Sequence, residues 1–437
     1  MAGDRNLHHD AASEFVAGSG LLHRRALLLG GAVATGGLAL RSAVAVAAPN
    51  PASAIAEGQP ETMRAPGAPF AEYGQPARFE SVKRTTRTRL PELAPGTGSS
   101  LTPLQHLRGT ITPNGLHFIR AHNGIPEIDP AEHRLLIHGL VDRPLVFDMN
   151  ALMRYPMVSR IHFIECTGNS AMNGNIVSEA PQVSVDVIHG LVSSAEWTGI
   201  PLAILLDEAG IRPEGRWVIA EGADAAGMSR SIPLHKCMDD AMIALYQNGE
   251  RVRPEQGYPM RLLLPGFEGN MCVKWLRRLK VTAEPVHSKD ETSKYSDLLP
   301  DGKARQFTFA VGVKSVICNP AAGLAMQGPG FYEISGIAWS GYGRVAKVEV
   351  SADGGRSWAE AALSQPDLPM AMRRFALPWK WDGRPSIMMS RATDDEGNVQ
   401  PTRAEWATGY GAAQPYHCNA IQSWAVQSDG SIRNVFA

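Results

Sequence analysis

The apolar pattern changes period once along this chain, near residues 301–303, and a chain that does so has to close over more than one core. Upstream, between His133 and Lys280, short apolar runs such as Arg134-Leu135-Leu136-Ile137-His138 and Trp217-Val218-Ile219-Ala220 alternate with helix-like stretches. One of these, Pro201-Leu202-Ala203-Ile204-Leu205-Leu206-Asp207-Glu208-Ala209, ends at Gly210, a helix-stop residue. Downstream, Val345-Ala346-Lys347-Val348-Glu349-Val350-Ser351 alternates, Asp353-Gly354-Gly355 supplies a hairpin turn, and Arg356-Ser357-Trp358-Ala359 returns. Further strand-like runs at 332–339 and 386–393 predict a small sandwich of immunoglobulin type. The expected fold class is therefore α+β, a mixed domain at 103–300 followed by an all-β sandwich at 301–437.

With 437 residues, 44% hydrophobic and 19% charged, the chain is long enough for two domains. Its net charge of −1 and the absence of long Lys or Arg runs exclude the electrostatic footprint of a nucleic-acid or anionic-membrane binder. Residues 49–102 are rich in Pro, Gly, Ala and Arg with weak periodicity, which predicts an extended arm or linker.

At the N-terminus a polar leader precedes His23-Arg24-Arg25, the apolar run 26–40 and the small-residue site Ala45-Val46-Ala47. A transmembrane helix is the alternative, but the run holds four glycines and falls short of the roughly 20 apolar residues a bilayer span requires. The segment 1–48 is accordingly expected to be a twin-arginine export signal and the mature protein periplasmic. Such signals serve proteins exported already folded, often because a cofactor is inserted in the cytoplasm.

Five cysteines, Cys166, Cys237, Cys272, Cys318 and Cys418, are scattered with no CxxC and no CxxCH, against a disulfide framework, a zinc site and covalently attached haem. Cys166 lies in His162-Phe163-Ile164-Glu165-Cys166-Thr167-Gly168-Asn169-Ser170, where a strand-like run breaks into a turn directly after the thiol. Taken alone, this pattern fits an inert buried thiol as well as a ligand.

The surrounding motifs carry more. Glu165-Cys166-Thr167-Gly168-Asn169 resembles the cysteine motif of the sulfite oxidase family, and Phe118-Ile119-Arg120-Ala121-His122 its upstream pterin-contacting segment. Gly257-Tyr258-Pro259-Met260-Arg261, Leu264-Pro265-Gly266 and Val273-Lys274-Trp275-Leu276 are similar to its third cofactor segment, and the resemblance covers essentially the whole mature chain. It implies a molybdopterin domain with molybdenum-molybdopterin as cofactor, followed by an immunoglobulin-like dimerisation domain, and hence a homodimer or a heterotetramer. Cys166 is then the protein ligand to molybdenum, a soft thiolate beside the pterin dithiolene. The cofactor phosphate is expected to be met by Arg120, His122, Arg261 and the Cys272-Val273-Lys274 segment, with Asp224 on pterin nitrogens. Gln256 stands where animal sulfite oxidases have a histidine and keeps only a polar contact. Tyr295 falls at the position of the family's active-site tyrosine, so Cys166, Arg120 and Tyr295 are the expected catalytic residues.

One departure bears on substrate. Sulfite-oxidising relatives follow the cysteine motif with arginines, whereas this chain has Ser170-Ala171. The segments 16–25, 289–295 and 417–424 instead resemble the SoxC-type sulfane dehydrogenase branch of the Sox sulfur-oxidising system. That branch implies oxidation of sulfane sulfur carried as a persulfide on a carrier protein, with water supplying oxygen and molybdenum cycling between Mo(VI) and Mo(IV). No haem, flavin or dinucleotide motif is present, so a separate c-type cytochrome of the SoxD kind is the implied electron acceptor. The competing expectations are a sulfite dehydrogenase acting on free sulfite, and a non-catalytic adhesion or carrier protein built on the immunoglobulin-like domain.

Overall fold

A computed structural model describes residues 16–22, 61–63, 66–88, 95–174, 176–410 and 415–437. The twin arginines, the apolar run 26–40 and the cleavage-like site at 45–47 lie outside the described residues. The chain divides into two compact units, one of Met1–Ala26 with Lys83–Ala437 and one of Leu27–Val82. In the smaller unit the described residues form a single-turn helix, Glu61–Met63, and an exposed irregular stretch. Among the described residues, no helix is long and apolar enough to cross a membrane.

The larger unit is mostly sheet. The strand Val158–Glu165 runs antiparallel to Val192–Pro201 along its whole length, from Val158 opposite Gly199 to Glu165 opposite Val192. Its outer half is largely exposed and its last four residues are buried, so the chain dives into the interior just before Cys166. Met242–Gln247 pairs on the other side of Val192–Pro201 and carries Arg261–Leu263 at its end. A second five-stranded sheet holds Leu135–Gly139, Leu276–Thr282 and Trp217–Gly222, with the first two parallel. The helix Leu202–Ala209 buries Leu202, Leu205, Leu206 and Ala209, one face at helical spacing, and stops at Gly210 as its sequence requires.

The stretch expected to lack regular elements contains two strands, Thr85–Thr88 and Gly98–Leu101. They pair with each other and then with Ile119–Ala121 into a three-stranded sheet that carries Arg120. Neither shows an apolar alternation of its own; β-branched threonines favour the first, and pairing on both sides defines the second.

From Lys314 the chain forms two packed antiparallel sheets. One contains Lys314–Asn319, Gly330–Trp339, Arg373–Trp381 and Ala362–Leu363; the other is built around Val345–Ser351 and Ser386–Asp394. The hairpin expected at Asp353-Gly354-Gly355 is present, with Val350 opposite Ala359. The sandwich core is continuous with residues far upstream: Phe163, Val185, Ile188 and Val192 are buried in the same cluster as Ile317, Ile337 and Trp339.

Candidate active site

The end of the strand Val158–Glu165 delivers Cys166 to a cavity. Two backbone hydrogen bonds fix the turn, Cys166 N donating to Leu191 O (2.9 Å) and Asn169 N to Cys166 O (2.8 Å). Glu165, buried beneath the turn, accepts from Asn169 Nδ2 (2.9 Å), Lys314 Nζ (2.5 Å) and Trp339 Nε1 (2.7 Å). Two of these donors come from the sandwich, so the cysteine turn is held from both domains.

Of the residues singled out in the sequence, Phe118, Arg120, Ala121, His122, Cys166, Asp224, Gln256, Arg261, Cys272, Val273, Lys274 and Tyr295 all line this cavity. Ile119 does not; it is half-buried in the three-stranded sheet opposite Ser100. Ile164, Met228, Gly269, Asn270 and Trp275 line the cavity and were missed. Gly269, Asn270 and Trp275 flank the Cys272-Val273-Lys274 segment, and that adjacency was the available signal.

The charges are unbalanced. Arg261 is buried and donates to the carbonyls of Gln256 and Cys272, both at 3.0 Å, while its Nε has no partner. Lys274 Nζ donates to the carbonyls of Arg120 (3.1 Å) and Glu255 (3.0 Å). Among the described residues neither Arg261, Lys274 nor Arg120 takes part in an ion pair. Burial lowers Arg261 to about 10 and Lys274 to about 7, in the latter case helped by the Arg261 charge. Asp224 contributes a buried Oδ1 with no hydrogen-bond partner. Cations drawn from water without an ion-pair partner are costly, and Asp224 is the one carboxylate among the described residues of the lining, so this cradle fits an anionic, hydrogen-bonding group such as a pterin phosphate. Among the described residues no cluster of three or more His, Cys, Asp or Glu forms a metal site.

Burial also raises the Cys166 thiol above its ordinary value, with the Gly168 backbone hydrogen bond and the Arg120 charge acting in the opposite direction. Cys272 is a different case: its thiol is bonded to the Leu264 backbone, and its carbonyl serves Arg261. Cys237, Cys318 and Cys418 are buried free thiols, and no disulfide forms.

Arg120, His122, Cys166 and Tyr295 also line a wider cleft, so they stand where the two spaces meet. Tyr295 OH lies 3.0 Å from His122 Nε2, and burial pushes its phenol well above the usual tyrosine range. The cleft wall beyond Cys166 includes Ala171, Met172, Ile176, Ile188 and Leu191. Ser170 is buried and bonded to His189 and Lys314 instead of lining the cleft. Four non-glycine residues around the site, Ser170, Trp275, Tyr295 and His417, have left-handed backbone, a strain that persists only where surrounding contacts impose it. His417 shows those contacts: its backbone N donates to Thr167 O (3.0 Å), and its ring lies between Asp297 (2.9 Å) and Glu268 (3.3 Å).

Comparison with known proteins agrees with this geometry. A family described as oxidoreductase molybdopterin binding domain matches residues 122–290, and one described as Mo-co oxidoreductase dimerisation domain matches residues 305–424. Sulfite oxidase of Gallus gallus is 30% identical over 315 residues, covering 67% of this chain and 68% of its own. NADH nitrate reductase of Solanum lycopersicum is 30% identical over 352 residues, 70% of this chain but 38% of its own length, so the chain spans well under half of that relative. The crystal structure of the sulfane dehydrogenase SoxCD from Paracoccus pantotrophus superposes with a TM-score of 0.85 at 44% identity, covering 89% of this chain and 99% of that one.

Proposed function

Since the chain belongs to the sulfite oxidase family of molybdopterin oxidoreductases, with molybdenum-molybdopterin as its cofactor, we propose that it is a sulfane dehydrogenase. Its substrate is sulfane sulfur held as a persulfide on a carrier protein of the Sox pathway. Each oxygen added comes from water, and the two electrons released pass to a c-type cytochrome of the SoxD kind. The protein works in the periplasm after twin-arginine export, as a homodimer or a heterotetramer through residues 305–424. The observation that carries this assignment is the 44% identity to a sulfane dehydrogenase over 99% of that chain.

When bound, the cofactor supplies the two-electron redox centre; the remaining work belongs to the chain. Cys166 would give the metal its protein thiolate, a form that burial disfavours in the free thiol and that the Arg120 charge favours. Arg120, Arg261 and Lys274 would hold the cofactor's negative charge, and the unpartnered Asp224 Oδ1 is available to accept from N–H groups. Tyr295 keeps its proton and acts as a hydrogen-bond donor, oriented by His122, where the cleft reaches Cys166. Sulfite-oxidising relatives have arginines at the Ser170-Ala171 positions; here Ser170 is turned away into the protein and Ala171, with Met172 beside it, leaves the cleft wall apolar, which suits a neutral carrier-borne arm.

Sulfite oxidation is the second reading, favoured by Arg87, Lys289 and Lys294, which also line the cleft. Molybdenum per chain and electron transfer to cytochrome c, measured with free sulfite and with a persulfide-loaded carrier, separate the two. Carrier-dependent turnover supports the proposal; fast turnover of free sulfite replaces it with the second reading. Cys166→Ser is expected to fold but to lose turnover, because a hard oxygen replaces the soft thiolate, and unchanged activity would remove Cys166 from the metal.

A further inference from the structure

Residues 16–22 immediately precede the twin arginines in sequence, yet they are seated on the folded sandwich. Leu21 forms an antiparallel bridge to Trp379, Leu22 N donates to Pro378 O (3.1 Å), and Trp379 Nε1 donates to Ser19 O (2.7 Å). Gly18 N donates to Ser357 Oγ (2.7 Å), which itself donates to Asp353 Oδ2 (2.6 Å) in the Asp353-Gly354-Gly355 hairpin loop. Leu21 and Leu22 are fully buried, Leu21 in the same apolar cluster as Leu377 and Trp379.

The strand Arg373–Trp381 explains why a segment binds there. It pairs with Gly330–Trp339 along one side, but Ala362–Leu363 covers its other side only at Phe375 and Ala376. The edge from Leu377 onward is an open row of backbone donors and acceptors, and residues 21–22 complete it by strand addition. The glycines fit this placement. A Cβ on Gly20, whose φ is +90°, would overlap the Lys380 carbonyl, and one on Gly18 would overlap the Asp353 carboxylate. An address read only by an export receptor needs no such match to a distant domain of its own chain.

We propose that residues 16–22 are an intramolecular latch that docks on the edge of the folded C-terminal domain and withholds the adjacent twin-arginine address from its export receptor. The proposal rests on reading Arg24-Arg25 as that address. Arg24 follows the anchored Leu22 by two residues in the sequence. Burial of two leucines and a few hydrogen bonds is offset by the ordering of seven residues, so the contact opens reversibly. Delay at this step leaves time for a cofactor to be inserted before the folded protein leaves the cytoplasm.

The test uses the full-length chain and two undocking variants, Leu21→Asp with Leu22→Asp, and Gly20→Ala, which adds only a methyl group against Lys380. Backbone amides of Gly18 and Leu22 are expected to exchange at least tenfold more slowly in the unmodified chain than in either variant. In pulse-chase fractionation the variants are expected to reach the periplasm several-fold faster, and Arg24→Lys with Arg25→Lys to stop export of all forms. Equal exchange in the unmodified and variant chains would overturn the docking. Lost protection without faster export would overturn the withholding. Continued export of the Lys-Lys chain would overturn the address reading alone, because the exchange result is independent of it.

Discussion

Lys274 and Arg261 keep positive charge inside a cavity whose described residues pair neither with a carboxylate, and the protein alone is the worse for it. Lys274→Met is therefore expected to be neutral or stabilising by about 1 kcal/mol in cofactor-free protein. In loaded protein the same change removes a charge-assisted contact worth about 1.5–3 kcal/mol, roughly tenfold to a hundredfold in cofactor retention. Thermal denaturation of the cofactor-free form and molybdenum content after dialysis measure the two, and destabilisation in both forms would reject the anionic cradle. His417 has the opposite character. Desolvation opposes its charge, but Asp297 and Glu268 prevail and raise it from 6.5 to about 9. A raised histidine contributes its full stability below pH 6.5 and loses it as pH climbs through about 9. His417→Gln is thus expected to cost on the order of 3 kcal/mol at pH 6 and almost nothing above the folded pKa. Urea titrations across that range check this, and a gap that widens with pH would refute the protonated assignment. Cys166 and the segments around Arg120 and Lys274 were legible because each is a short contiguous motif. His417 and Glu268 were not, since their partnership joins positions 149 residues apart.

The turn that carries Cys166 is specified by neighbouring elements more than by its own sequence. Lys314, at the start of the strand Lys314–Asn319, reaches Glu165 at 2.5 Å with both side chains 4% exposed. Lys314→Met leaves the Glu165 carboxylate buried with only the Asn169 and Trp339 donors, and is expected to cost about 3–5 kcal/mol. Adding Glu165→Gln removes the stranded charge and should recover more than half of that loss. Denaturant midpoints of the two single variants and the double variant give the coupling, and simple additivity would mean that the pair does not act as a unit. Elements with a strong internal period, such as the helix Leu202–Ala209 and the hairpin at Asp353, were readable from local pattern. Thr85–Thr88 and Gly98–Leu101 were not, because the first is an edge strand with little buried apolar surface and the second a four-residue strand with a single apolar side chain, each defined by the strands it pairs with.

At the scale of the whole molecule, the change of period near residue 303 marks a change of architecture without separating two independent cores. Phe163 lies 6.4 Å from Trp339, ring centroid to centroid, and Val185, Ile188 and Val192 share that cluster. At about 1.5–3 kcal/mol for each buried side chain, these four account for roughly 6–12 kcal/mol, as much as the net stability of a typical domain. A chain ended at residue 300 would expose all four and release Glu165 from Lys314 and Trp339. It is expected to bind hydrophobic dye and aggregate, whereas the full chain should unfold in one transition seen alike by tryptophan fluorescence and far-ultraviolet dichroism. A soluble, cooperatively folding chain ended at residue 300 would show that the sandwich is an appendage. Failure of that fragment, together with coincident transitions in the whole protein, would establish that the cysteine turn acquires its geometry only when both regions have folded.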